Sequence, residues 1–191
     1  MVEEERVPDE IRSPDEVATR ALGLFAVVAL AFGAERSEIT GWLSDHDLWR
    51  ELAPSEAGFV DTPTPSRQQI VHASWLSERL IMILWALGAV DELPSPDEQC
   101  DTLVFQEILP PYSATSVADF LGSARLRSEP ELIAMAEDTR ALHWEATDAE
   151  IKARPAQPRV DIEVIRERHH AINWIIGHDG ADWDDVTTGT Y

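Results

Sequence analysis

The sequence predicts an all-α protein, a single-domain irregular bundle of about six to eight helices. Three observations carry that prediction. Apolar residues recur at helical spacing through three long stretches. Ser-Pro-Asp-Glu at 13–16 and Ser-Glu-Pro-Glu at 128–131 are helix-opening signatures, with a capping serine, a proline tolerated in the first turn and a glutamate that reaches back. No segment alternates apolar and polar residues over more than a few positions, as a half-buried strand would.

Residues 1–12 are read as a flexible acidic segment and 13–191 as the helical domain. The first helix is expected from Ser13 to about Phe32, with Gly33 as its stop. Two shorter helices follow, Ser37 to Leu43 and Ser44 to Leu52, and then a proline-rich loop over 53–65. A long helix from about Ser66 to Leu87 shows the stripe Ile70, Ala73, Leu76, Leu80, Ile83, Leu87. Short helices are expected at 99–109 and 115–124. A long one from Ser128 to about Ile151 has the stripe Leu132, Met135, Thr139, Leu142, Ala146. Residues 152–160 are a linker with two prolines, and Asp161 caps a final helix that ends near Gly177. The tail from Asp179 is polar around Trp183, which reads as its anchor to the bundle.

Charge excludes some partners. Thirty-six acidic residues stand against 15 basic ones, a formal net charge of −21, and Lys152 is the only lysine. Such a surface repels phosphate backbones and anionic lipid, so neither nucleic acid nor membrane is expected as a partner. The longest apolar run, Ala21 to Phe32, is too short to span a bilayer, which takes ~20 residues. Cys100 is the sole cysteine, so no intrachain disulfide can form. That fits a reducing, cytoplasmic setting, as does an acidic start lacking the basic residues of a secretory signal. Asp97, Glu98 and Asp101 beside Cys100 disfavour a thiolate nucleophile.

The final helix is the most informative segment. Ile162, Ile165, His169, Ile172 and Ile176 are spaced 3, 4, 3 and 4, so His169 occupies an apolar stripe. A core histidine satisfied by a carboxylate or carbonyl is the commoner explanation, and a ligand or base at the floor of a pocket is the functional one. His170 lies about 100° round the helix and is expected nearer solvent. On the preceding helix Arg140, His143 and Trp144 share a patch. If these two helices pack antiparallel, His143 and His169 approach each other. A metal site would have to start from these two histidines and needs a third ligand, for which Glu78, Asp101 and Glu167 are available but no spacing selects one. No metal or other cofactor is expected. His178-Asp179 superficially resembles the His-Asp dyad of metal-dependent phosphohydrolases, but Gly180 follows at once, and a turn is expected there. There is no phosphate-binding glycine loop, no Gly-x-Ser-x-Gly elbow and no Cys–His pattern.

Three segments together resemble the bacterial domain of unknown function 4272 family. They are Trp75-Leu76-Ser77-Glu78 through Leu84-Trp85-Ala86-Leu87-Gly88 with Leu93-Pro94 and Cys100-Asp101; then Arg140-Ala141-Leu142-His143-Trp144; and, most specific, Glu167-Arg168-His169-His170-Ala171-Ile172-Asn173-Trp174 with Asp182-Trp183-Asp184-Asp185-Val186-Thr187. The resemblance covers about residues 70–190, with 1–60 as a helical lead-in, and departs at Gly189, where an aspartate is expected. It implies a fold and a family without an activity. Glu78, Trp85, Arg140, His143, His169 and Trp174 fall within its motifs.

These readings converge on a binding or interaction domain rather than an enzyme. Its candidate site is a pocket or polar core of Glu78, Trp85, Arg140, His143, Trp144, His169, Asn173 and Trp174, between the long central helix and the last two. The partner would be an unidentified protein or a small molecule, and a homodimer is left open. Two alternatives stand beside it. One is an acidic immunity- or antitoxin-like protein that blocks a basic partner. The other is a hydrolase using His143 and His169 with a carboxylate, with or without a metal.

Overall fold

The computed structural model describes residues 10–189, which form eight α-helices and three 3-10 turns with no strand among them. Four helices make the body. Helix α1 (Pro14–Ala31) packs along α4 (Arg67–Ala86), α4 along α8 (Ile162–Ile175), and α8 along α7 (Glu129–Ile151). The shorter α2 (Arg36–Asp45), α3 (Pro54–Asp61), α5 (Leu103–Ile108) and α6 (Val117–Ser123) fill the flanks. None of the described helices is long and apolar enough to cross a membrane.

The helix starts follow local chemistry. Ser13 and Glu16 form a complete capping box, as do Ser66 with Gln69. At α7, Glu131 accepts from the Ser128 backbone N–H at 3.0 Å. Asp161 Oδ1 accepts from the N–H groups of Glu163 and Val164 at 2.9 and 3.3 Å, which holds the first turn of α8.

Several expectations are corrected. The separate helix expected over Ser44–Leu52 does not form: Ser44 and Asp45 end α2, Asp47 adopts φ 55 and breaks the run, and only the 3-10 turn Trp49–Glu51 follows. The expected loop 53–65 contains α3. Pro54 opens this helix rather than preventing one, and Glu56 accepts from the Ala53 N–H at 2.9 Å. The buried face of α7 is Leu132, Ala136, Thr139, His143, Ala146 and Ala149, while Met135 and Leu142 are only half-buried. The alanines let α7 lie close on α8, which turns the helix and brings His143 fully inside. Ile70 is 37% exposed, since the first turns of α4 project beyond the body.

Helix α8 is the centre of the molecule. From Val164 to Gly177 every residue is buried except Arg166. His170, expected near solvent, is only 5% exposed. Packing by α4 and α7 would leave one side of α8 open, and the two chain ends close it. Trp183 lays its ring on His170 with centroids 4.8 Å apart. On the other chain end, Arg12 donates from its backbone N–H to the Ile175 carbonyl at 2.9 Å, and from its guanidinium to Trp174 and Ala181 carbonyls at 3.2 and 2.7 Å. Residues 1–9 of the segment expected to be flexible lie outside the described residues; Arg12 is held by these bonds. Gly177, at φ 69, ends α8 where a Cβ would stand 2.1 Å from the Glu10 carbonyl oxygen.

Candidate functional site

A helix buried on all sides must find partners for every polar residue it carries. Helix α8 carries Glu167, Arg168, His169, His170 and Asn173, all buried. Three polar clusters receive them.

The first joins α8 to α4. Arg168 places Nε and Nη2 each 2.9 Å from Glu78 Oε2 and donates from Nη1 to the Pro94 carbonyl at 2.7 Å. Glu78 Oε1 accepts from the Cys100 N–H at 2.6 Å. The pair thus fastens the 94–100 loop to the body. Burial, followed by the charge of Glu78, pushes the Cys100 thiol well above its ordinary range, so it is a poor thiolate.

The second surrounds Trp183. Arg20 donates to Glu56 and to the Glu51 carbonyl. Trp183 Nε1 donates to the same Glu56 oxygen at 3.2 Å, and the Arg20 guanidinium lies 4.1 Å from the Trp183 ring centre. Arg79 donates from Nε to Glu167 at 2.5 Å. His170 Nδ1 and Arg20 Nε are sealed in this cluster without a hydrogen-bond partner among the described residues. Burial, with Arg79 and Arg20 behind it, pushes His170 down to about 2, so this imidazole is neutral in the folded protein.

The third joins α8 to α7. The imidazoles of His143 and His169 meet edge to face, Nδ1 to Nδ1 at 3.0 Å. Burial first, then His143, His178 and Arg140, holds His169 down to about 4. Burial and Arg166 lower His143 as well. Both rings are therefore neutral at pH 7, and an Nδ1–Nδ1 bond between neutral rings has one donor and one acceptor. The two rings share a single Nδ1 hydrogen. Whichever ring holds it has a bare Nε2, and the other presents Nε2–H. His169 also lines a cavity of about 350 Å³ with Arg140, Asn173, His178, Glu137 and Thr187. Asn173 donates from Nδ2 to the Thr187 carbonyl at 3.0 Å, which fixes the tail as one wall.

The eight residues singled out from the sequence thus divide. Arg140, His169 and Asn173 line this cavity, and His143 lies behind it, bonded to His169. Glu78 lies in the first cluster. Trp85 is buried under the Arg127 guanidinium, 4.7 Å away. Trp174 meets Arg12 and the edge of Trp183. Trp144 is 53% exposed and takes no part. The cluster of Arg20, Glu56, Arg79, His170 and Trp183 did not emerge from sequence reasoning. One signal was there: Val17, Arg20 and Leu24 share a helical stripe, so a charge sits where an apolar residue is expected. Among the described residues, no three His, Cys, Asp or Glu side chains are placed to hold one metal ion.

No curated protein and no solved structure matches the chain. The family model described as "Domain of unknown function (DUF4272)" matches residues 1–186, so the likeness runs through the helical lead-in as well as residues 70–186, and the chain belongs to that family.

Proposed function

We propose that the protein is a binding domain, and that the cavity over His169 takes a small hydrophilic molecule bearing an acidic group. The observation behind this reading is the neutral His143–His169 pair at the edge of a cavity. With Nδ1 committed to His143, His169 has Nε2 left for whatever enters. Two neutral arrangements of the pair exist, one with Nδ1–H on His143 and Nε2–H on His169, the other with Nδ1–H on His169 and Nε2–H on His143. Passing between them moves one hydrogen each way, the Nε2 hydrogen through solvent, and converts the His169 Nε2 between donor and acceptor. The pair can therefore match a hydroxyl, a carbonyl or an amide. Arg140, exposed on the same wall, has no ion-pair partner among the described residues and supplies the charge for a carboxylate or phosphate.

The experiment is a titration of ¹⁵N-labelled protein with lactate, glycerate and inorganic phosphate, observed at the histidine ring nitrogens. Saturable shifts at His169 Nε2 and the Arg140 side chain are expected, lost in Arg140→Gln. Ring signals that stay fixed with all three probes would overturn the reading.

A further inference from the structure

A second cavity, of about 430 Å³, opens between α1, α3, the first half of α4 and the turn Trp183–Asp185. It shares no lining residue with the cavity over His169. Its volume falls within the ~300–1,000 Å³ usual for small-molecule sites.

Its lining has two chemical parts. Val27, Phe59, Ala73 and Leu76, from three helices, give an apolar wall. Arg79, Glu56 and Trp183 give a polar inner wall, and Ser55, Gln68, Gln69, His72 and Asp184 are exposed lining residues around it. The polar groups are unequal in what they have left to offer. Glu56 is saturated: Oε1 takes Arg20 and Trp183, and Oε2 takes the Ala53 N–H. Trp183 has its N–H on Glu56 and its ring against His170 and Arg20. Arg79 uses Nε alone, on Glu167, and keeps 18% of its side chain open. Neither of its Nη groups donates to a described residue, and neither is sealed from solvent. The unused capacity on this wall is thus a pair of cationic donors beside an apolar surface.

We propose that this cavity binds a small amphipathic acid. Its carboxylate takes the two Nη groups of Arg79, in the geometry that makes arginine the preferred partner of planar anions. Its apolar body lies on Val27, Phe59 and Leu76, removing hydrocarbon from water. The negative charge of the whole chain acts against any anion, but exposed charges are screened beyond about 10 Å at ordinary ionic strength. Arg20 and Arg79 stand much closer, both against the Trp183 ring at 4.1 and 5.5 Å. The carboxylate of Asp184, an exposed lining residue, is the one acidic group open to an amine; on the inner wall Glu56 is already saturated and an ammonium would face Arg79.

The test uses the full chain labelled with ¹⁵N and three probes of equal length: hexanoate, hexanol and hexylamine. Hexanoate is expected to shift the Arg79 Nε–H and Trp183 indole signals saturably at millimolar concentration or below. Hexanol and hexylamine are expected to bind at least tenfold more weakly. His72→Trp alters an exposed residue on the rim and is expected to weaken hexanoate tenfold or more by filling the mouth. Arg79→Lys keeps the charge but loses the paired donors, and a severalfold loss is expected. Arg140→Gln, at the other cavity, should leave hexanoate unchanged, so the two readings stand or fall separately. The proposal is overturned if hexanoate produces no saturable shift, if the amine or alcohol binds equally well, or if His72→Trp has no effect.

Discussion

Arg168 on α8 and Glu78 on α4 form an ion pair from which solvent is excluded on both sides, with 3% and 0% of their side chains exposed. Charges taken this far from water are held by each other, and losing one strands the other. Arg168→Met is expected to lower unfolding free energy by about 3–5 kcal/mol, measured by urea denaturation. The double variant Glu78→Leu/Arg168→Met should recover much of that loss, because it removes both charges. A double variant weaker than Arg168→Met alone would show that the pair is not the unit of stability.

The buried histidines make stability depend on pH. In the unfolded chain an imidazole binds a proton below about 6.5. In the folded protein His169 stays neutral to about 4 and His170 to about 2, and His143 is lowered too. Below about 6.5 the unfolded state therefore holds more protons, so the contribution is complete above that pH and is lost as pH falls toward the folded values. Each such histidine changes unfolding free energy by about 1.4 kcal/mol per pH unit once its unfolded form is charged. Denaturation at pH 7, 6 and 5 should show this decline, and His170→Phe should reduce its slope by about one proton. A flat profile between pH 7 and 5 would contradict the burial of these rings.

Gly177 carries two constraints at once, a left-handed backbone and the Glu10 carbonyl where its Cβ would be. Gly177→Ala is expected to cost about 1–3 kcal/mol for the conformation alone. It should also lift the segment that holds Arg12. Trypsin cleavage after Arg12 should then accelerate well before global unfolding. Equal cleavage rates in the two proteins would mean that this end is not held through Gly177.

Much of the fold is written locally. Ser13 with Glu16, Ser128 with Glu131, and Asp161 declare helix starts within four residues of chain, and the long apolar stripes declare their faces. The failures share another cause. Pro54 reads as a breaker when only the loop around it is considered, yet the same proline suits a first helical turn. Helix α7 faces inward with alanines, which carry little hydrophobic signal, so its register looked one position different. His170 is buried by Trp183, a neighbour 13 residues away on a segment with no periodicity. The clustering of Arg20, Glu56 and Arg79 depends on α1, α3 and α4 together, and no window along the chain contains all three. The His143–His169 contact was easier to anticipate, because two successive helices and one stripe suffice to bring those rings together.

The central place of α8 also bears on how the molecule is made. A ribosome releases α4 long before Ile162, so the face of α4 that packs on α8 waits for a partner that has not been synthesised, while its other face can already take α1. Glu78 waits for Arg168, and Glu56 waits for Trp183. Nascent chains arrested before Ile162 should therefore remain protease-sensitive and attract chaperones, and compaction should come late, in one step, when α8 clears the exit tunnel.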